Sequence, residues 1–268
     1  MKYPCYIVDA FTGQLFRGNP AAVCPLTAWL PDNTLQAIAA ENNLSETAFT
    51  VPRGTEFELR WFTPTVEMDL CGHATLAAAF VLIQEMGCPH AAIHFHTKSG
   101  RLTVSRQADL LVLDFPARPA QSCAVPEALI AGLGARPEQV YRARDYLAVF
   151  NSAAEVLALQ PDFTRLHQLD CLGIIVTAPG TDCDFVSRFF APRAGLNEDP
   201  VTGSAHCTLI PYWAARLQRP QLFARQLSLR GGELSCELAG DRVKLGGKAV
   251  LYLRGEIVLH DSATVDIK

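Results

Sequence analysis

The sequence has no apolar run long enough to cross a bilayer, because its two most apolar stretches, near 74–83 and 205–210, meet charge or proline first. A membrane helix needs about 20 such residues. The opening Met1-Lys2-Tyr3-Pro4 also lacks the apolar core of a secretory signal, so a soluble, cytoplasmic protein with no membrane partner is expected. Charge of one sign is missing too. With 23 Lys and Arg against 27 Asp and Glu, the formal net charge is −4 and no basic cluster stands out, which speaks against nucleic acid as a partner. There are nine cysteines but no Cys-x-x-Cys pair, so the expectation is reduced, mostly buried thiols. His94 and His96 share a strand face by spacing, yet no third ligand is in view, and no metal is expected. At 49% hydrophobic and 19% charged, the 268 residues exclude disorder and fibre and allow one large or two modest domains.

What is present is organised around Met68-Asp69-Leu70-Cys71-Gly72-His73-Ala74-Thr75-Leu76-Ala77-Ala78-Ala79-Phe80, a polar turn running into a segment with almost no hydrophilic face. A helix that is apolar all round belongs inside a core. Its first amides lack intrahelical partners and concentrate partial positive charge, which suits a carboxylate. The design recurs. Glu198-Asp199-Pro200-Val201-Thr202-Gly203-Ser204 leads into Ala205-His206-Cys207-Thr208-Leu209-Ile210. The echo extends to Leu30-Pro31-Asp32 with Gln160-Pro161-Asp162, Thr50-Val51-Pro52 with Thr177-Ala178-Pro179, and Phe62-Thr63-Pro64 with Phe190-Ala191-Pro192, at offsets of 127 to 131. A period this long points to two fused copies of one domain, since solenoid units run to roughly 20–50 residues. The proline-rich stretch from Pro116 to Ser122 reads as a linker, giving an amino-terminal lobe at 1–118 and a carboxy-terminal lobe at 119–268 with a crevice between them.

Local signals fill in the lobes. Strands are expected at 5–11, 21–24, 55–62, 91–96, 102–106 and 110–115 in the first, and at 147–150, 172–177, 184–190, 226–229, 234–238 and 250–252 in the second. Asp32 is expected to cap a helix that ends at Asn42-Asn43, and Pro211 to kink or shorten the second core helix. Gly72 and Gly203 let a ligand approach the backbone, and Ser204 adds a hydroxyl. Glu46 and Asp199 beside a bound carboxylate are unfavourable unless a proton is shared, and that is a use for a general acid and base. Each has a plainer reading: Glu46 as a solvent-facing or capping acid, Asp199 as a turn acid before Pro200, His73 as a satisfied core histidine.

Four motifs, Gly18-Asn19-Pro20-Ala21-Ala22-Val23 after Asp9-Ala10-Phe11, Asn43-Leu44-Ser45-Glu46-Thr47-Ala48-Phe49, Leu70-Cys71-Gly72-His73-Ala74-Thr75 and Glu198-Asp199-Pro200-Val201-Thr202-Gly203-Ser204-Ala205-His206, occur in this order. Together they resemble the phenazine-biosynthesis isomerase family, the PhzF-like proteins, over the whole chain. The resemblance implies an α/β (α+β) fold like diaminopimelate epimerase, in which two pseudo-symmetric lobes each curl a β-sheet around a central helix. It also implies a homodimer and a cofactor-free isomerisation of a small carboxylic acid. In that frame Glu46 is the acid/base, His73 and Asp199 assist proton transfer, and Ser45, Gly72, Gly203 and Ser204 bind substrate. Related epimerases use two opposed cysteines, but here only Cys71-Gly72 matches, because Asp199-Pro200-Val201 holds no thiol. A ligand-binding protein without turnover is the third possibility.

Overall fold

The computed structural model describes residues 1–260. Two compact units emerge: the first holds Met1–Asp114 and takes up the chain again from Gly246, and the second is Phe115–Leu245.

The first unit contains β1 (Lys2–Ala10), β2 (Asn19–Pro25), α1 (Asp32–Asn42), β3 (Glu46–Arg53), β4 (Glu56–Phe62), β5 (Glu67–Met68), α2 (Gly72–Phe80), β6 (Ala92–Thr97), β7 (Gly100–Gln107) and most of β8 (Leu110–Pro116). Strand β1 pairs antiparallel with β2, β2 parallel with β3, β3 antiparallel with β4, β4 parallel with β6, and β6 antiparallel with β7. Both parallel steps need a crossover, supplied by α1 and α2. Helix α2 is alanine-rich, favouring helix, and every residue in it except Gly72 and Phe80 is buried. It packs on β1, β2, β3 and β7, and continues into a π-turn at Val81–Glu85. Truncating a core side chain such as Leu76 to alanine would cost about 2–5 kcal/mol.

The second unit contains β9 (Gln121–Ser122), α3 (Glu127–Leu133), β10 (Gln139–Arg142), β11 (Tyr146–Val149), α4 (Ala153–Ala158), α5 (Phe163–Leu166), β12 (Ile174–Pro179), β13 (Phe185–Phe190), α6 (Gly203–Leu217), β14 (Gln221–Gln226), β15 (Gly232–Ala239) and most of β16 (Arg242–Gly247). Its pairing sequence repeats the first: β10–β11 antiparallel, β11–β12 parallel, β12–β13 antiparallel, β13–β14 parallel, β14–β15 antiparallel. Helix α6 takes the place of α2 and packs on β14 and β15. Phe185 stacks on Trp213 of α6 with centroids 5.5 Å apart, and the indole donates to Thr177 Oγ1 at 3.0 Å. The duplication read from sequence is therefore present as a duplicated topology.

Several expectations need correcting. The strand expected at 250–252 in the second lobe is part of β17 (Ala249–Val258), which pairs with β1 from Ala10↔Ala249 to Lys2↔Val258 and so belongs to the first unit. The chain thus crosses between units twice, not once after residue 118. Strand partners at this separation leave no mark in a local pattern, and β17 supplies the second edge of β1. The strand expected at 226–229 lies earlier, as β14 ends at Gln226, whose side chain turns inward while Leu229 is exposed. Asp32 is the first residue of α1, with Pro31 at the cap, and its carboxylate accepts from Arg60 Nη1 at 2.9 Å instead. Asn43 does end that helix, in a left-handed conformation with φ 48°. Pro211 leaves α6 running on to Leu217. The expected linker is structured at its ends, since Pro116 ends β8 and Gln121–Ser122 form β9, with 117–120 irregular between them.

Candidate active site

In the first unit, three elements bring four polar groups together. Glu46 opens β3, Asn19 opens β2, and Cys71 and His73 stand at the start of α2. Gly18 makes the placement of Asn19, because its φ is +66° and a Cβ there would lie 2.2 Å from the Ala10 carbonyl oxygen. Parallel pairing of Ala21 with Glu46 sets β2 and β3 in register. The His73 Nε2 and Glu46 Oε2 atoms are 3.1 Å apart, with side chains 6% and 15% exposed. They are not aligned for a hydrogen bond, and neither atom has another partner among the described residues.

On its other side, the His73 ring has Asn19 Nδ2 at 3.1 Å and Cys71 Sγ at 3.5 Å from Nδ1. An amide N–H donating to Nδ1 leaves the hydrogen of a neutral ring on Nε2, towards the carboxylate. Burial disfavours the charged ring, whereas its contacts with Cys71 and Glu46 favour it, and the net direction for the His73 pKa is upward. Burial also pushes the Cys71 thiol up to about 11. At neutral pH Cys71 is thus an uncharged thiol.

In the second unit the corresponding turn is tightly bonded. Asp199 is buried, and its Oδ2 accepts from Thr202 Oγ1 at 2.5 Å. Gln226 at the end of β14 donates through Nε2 to the Asp199 carbonyl at 2.8 Å, while its Oε1 accepts from the Thr202 amide at 2.9 Å. Gly203 begins α6, and Ser204 Oγ accepts from Arg144 Nη2 at 3.2 Å. Arg144 in turn holds the buried Asp145 at 2.9 Å. Neither α2 nor α6 has a side-chain cap at its start. Ser45 is half-buried in the turn before Glu46.

The family model for phenazine biosynthesis-like proteins matches residues 8–255. The chain belongs to this PhzF-type family. An uncharacterized isomerase of Pseudomonas aeruginosa is 52% identical over 97% of this chain and 100% of its own length. A PhzF-family structure from Enterococcus faecalis is 49% identical, with a TM-score of 0.95, over 97% of this chain and 100% of that one. A hydroxyproline epimerase from Agrobacterium vitis is 12% identical and has a TM-score of 0.62 over 97% of this chain and 94% of its own, a likeness of fold alone. The fold is thus the diaminopimelate epimerase-like one that the family resemblance implied.

Of the expected residues, Glu46 and His73 meet in the first unit, whereas in the second Asp199 bonds to Thr202, just before Gly203, and Ser204 bonds to Arg144. Sequence reading missed Asn19 as a partner of His73, although it stood in a quoted motif, and missed Gln226 and Arg144, which no motif marked. One donor atom from each of Glu46, Cys71 and His73 lies within 4.8 Å of the others. All nine cysteines are free thiols. No helix among the described residues is long and apolar enough to cross a membrane, which says nothing of a β-barrel.

Proposed function

We propose that the protein is a cofactor-independent isomerase that moves a proton between carbons of a small carboxylic acid, with Glu46 as general acid and base. The observation that carries this reading is the buried Glu46–His73 contact at 3.1 Å, whose facing atoms lack any aligned hydrogen bond. A carboxylate oxygen that no donor occupies is available to a substrate proton. Glu46 takes a proton from one carbon, the electron pair delocalises into the substrate's unsaturated acid, and the carboxyl, whose proton exchanges with solvent, delivers a proton to another carbon. The carboxylate is regenerated, so no oxidant or reductant is consumed.

Beside it, His73 keeps Nε2 facing the Glu46 carboxylate and assists the proton transfer. Asp199, oriented by Thr202 and Gln226, assists the proton transfer in this reading. The uncapped amides at Gly72 and Gly203, with Ser45 and Ser204, hold the substrate carboxylate. A two-thiol epimerase fits less well, since the Cys71 thiol is pushed up to about 11 and Asp199-Pro200-Val201 offers no second thiol. A homodimer is part of the proposal, checked by light scattering.

Deuterium uptake tests the reading. Carboxylic-acid metabolites that stabilise the protein against heat are incubated with it in D2O. Wild type places deuterium at carbon, and Glu46→Gln does not, while still gaining thermal stability from the same acid. Undiminished uptake in that variant would dismiss the assignment, and binding without uptake in wild type would leave a ligand-binding protein.

A further inference from the structure

The geometry points to a second use of the Glu46 pocket: a zinc-like divalent ion is captured by Glu46, Cys71 and His73 and silences the site. Their donor atoms, a carboxylate oxygen, a sulfur and an imidazole nitrogen, all lie within 4.8 Å of one another. Zinc takes this mixture of donors at about 2.0–2.3 Å, in a tetrahedron whose fourth position is left to water in open sites. Two ligands on such a tetrahedron stand roughly 3.2–3.6 Å apart. Here Sγ and Nδ1 are 3.5 Å apart, and Nε2 and Glu46 Oε2 are 3.1 Å apart. One ring nitrogen binds one ion, so capture requires the carboxylate or the thiol to close in by about an ångström or two.

Two further features separate this cluster from a chance grouping. All three side chains are largely withdrawn from water, so the pocket binds by exchanging one buried contact for another. Glu46 Oε2 and His73 Nε2, buried and facing each other, have no hydrogen-bond partner among the described residues, and an ion would satisfy both a carboxylate and an imidazole. Buried thiols of the second unit do not offer this. Cys207 and Cys236 are buried in the second unit, where their sulfurs bond to backbone carbonyls. On capture, the Cys71 thiol loses its proton to solvent and its sulfur bonds the metal, with no change in oxidation state.

This metal is not a cofactor of the proposed isomerisation. It occupies the oxygen lone pair that would take the substrate proton, so the silencing half of the inference rests on Glu46 being the acid/base, and the binding half does not. Chelator-treated protein is titrated with cobalt(II) alone. The expected result is one ion per chain, with a thiolate-to-cobalt charge-transfer band and the strong visible bands of a tetrahedral site. Cys71→Ser removes the charge-transfer band, and Glu46→Gln weakens binding at least ~10-fold, in the range seen when a metal site is impaired. Cys183→Ser, at a half-buried thiol elsewhere, leaves the spectrum unchanged, and circular dichroism verifies that each variant is folded.

Absence of the band in wild type, or its persistence in folded Cys71→Ser, overturns the site. Zinc should also abolish deuterium uptake and a chelator restore it. A cobalt band in a protein that never exchanges deuterium keeps the metal site and sinks the isomerase reading. Robust exchange that is indifferent to zinc keeps the isomerase reading and overturns the silencing.

Discussion

The starts of α2 and α6 occupy the same place in a repeated topology, yet they are finished differently. At α2 the acid, Glu46, comes from a neighbouring strand and meets His73 without an aligned hydrogen bond. At α6 the acid, Asp199, comes from the preceding turn and is fastened by Thr202 and Gln226. A group that must give and take a proton cannot have its lone pairs committed, whereas one that orients or polarises gains from being held. On the proposed reading, the moving proton belongs to the first unit and a fixed role to the second. One residue further on, the likeness returns: Thr75 Oγ1 donates to the Cys71 carbonyl at 2.5 Å, and His206 Nδ1 donates to the Thr202 carbonyl at 2.8 Å. Both side chains stand three positions after the first glycine and tie down the cap residue.

The largest effect that would break the contrast is at Glu46. Glu46→Gln should lower deuterium exchange by roughly 10² to 10⁴-fold, the usual worth of a general acid/base, with ligand-induced thermal stabilisation kept. If Asp199→Asn caused the greater loss and Glu46→Gln only a small one, the two half-sites would have to trade roles.

Next comes acid stability, where the twin positions differ. Burial lowers the His206 pKa to about 4, against an ordinary value of 6.5. Between those values the unfolded chain binds a proton that the native state refuses, so stability falls as pH drops from about 6.5 to about 4 and no further through this group. The full effect is on the order of 3 kcal/mol at 1.36 kcal/mol per pH unit. His206→Thr, which copies the residue at Thr75, should be less stable overall because of the volume it leaves. It should nevertheless lose less stability than wild type between pH 7 and pH 4.5, as read by urea unfolding. An identical acid-side loss in both proteins would show that His206 is not the responsible group.

A smaller effect is expected at Thr202. Thr202→Val removes the hydroxyl that donates to Asp199 Oδ2 and accepts from Gln226 Nε2 at 3.1 Å. Leaving such buried groups short of a partner costs about 1–3 kcal/mol, and exchange should fall roughly tenfold if Asp199 needs that orientation. Stability lost with exchange intact would make the α6 turn purely structural.

How much of this was legible in advance follows from the range over which each signal acts. The duplication, both core helices and the residues Glu46, His73, Asp199 and Ser204 lie in contiguous motifs, so local pattern and resemblance were enough. Gln226 lies 27 positions from Asp199 and carries no motif, and the pairing of β1 with β17 spans nearly the whole chain. Such contacts are decided by which strand edge needs a partner and which buried polar group needs a donor, and neither is written in a local window. Asp32 shows the opposite failure. An acid at a helix start fits the cap pattern, but Arg60 reaches it from β4 and Pro31 takes the cap position.

Cys71 gives the smallest expected change and the cleanest discrimination. It is the one thiol that the proposed isomerase shares in position with two-cysteine epimerases, and it sits 3.5 Å from the His73 ring. Were it the acid or base, its loss would match that of Glu46. As a neutral thiol whose pKa burial raises to about 11, it holds less than ~0.1% thiolate at pH 7, so its own charge contributes little to the site. Cys71→Ala deletes one buried sulfur next to α2, an effect of about 1 kcal/mol on stability. Exchange should stay within about tenfold of wild type, since His73 keeps Asn19 and Glu46 as neighbours. The measurement is the exchange rate of Cys71→Ala beside that of Glu46→Gln on one substrate. A collapse of the first to the level of the second would move the proton chemistry from the carboxylate to the thiol, and with it the reason for the loose contact at the start of α2.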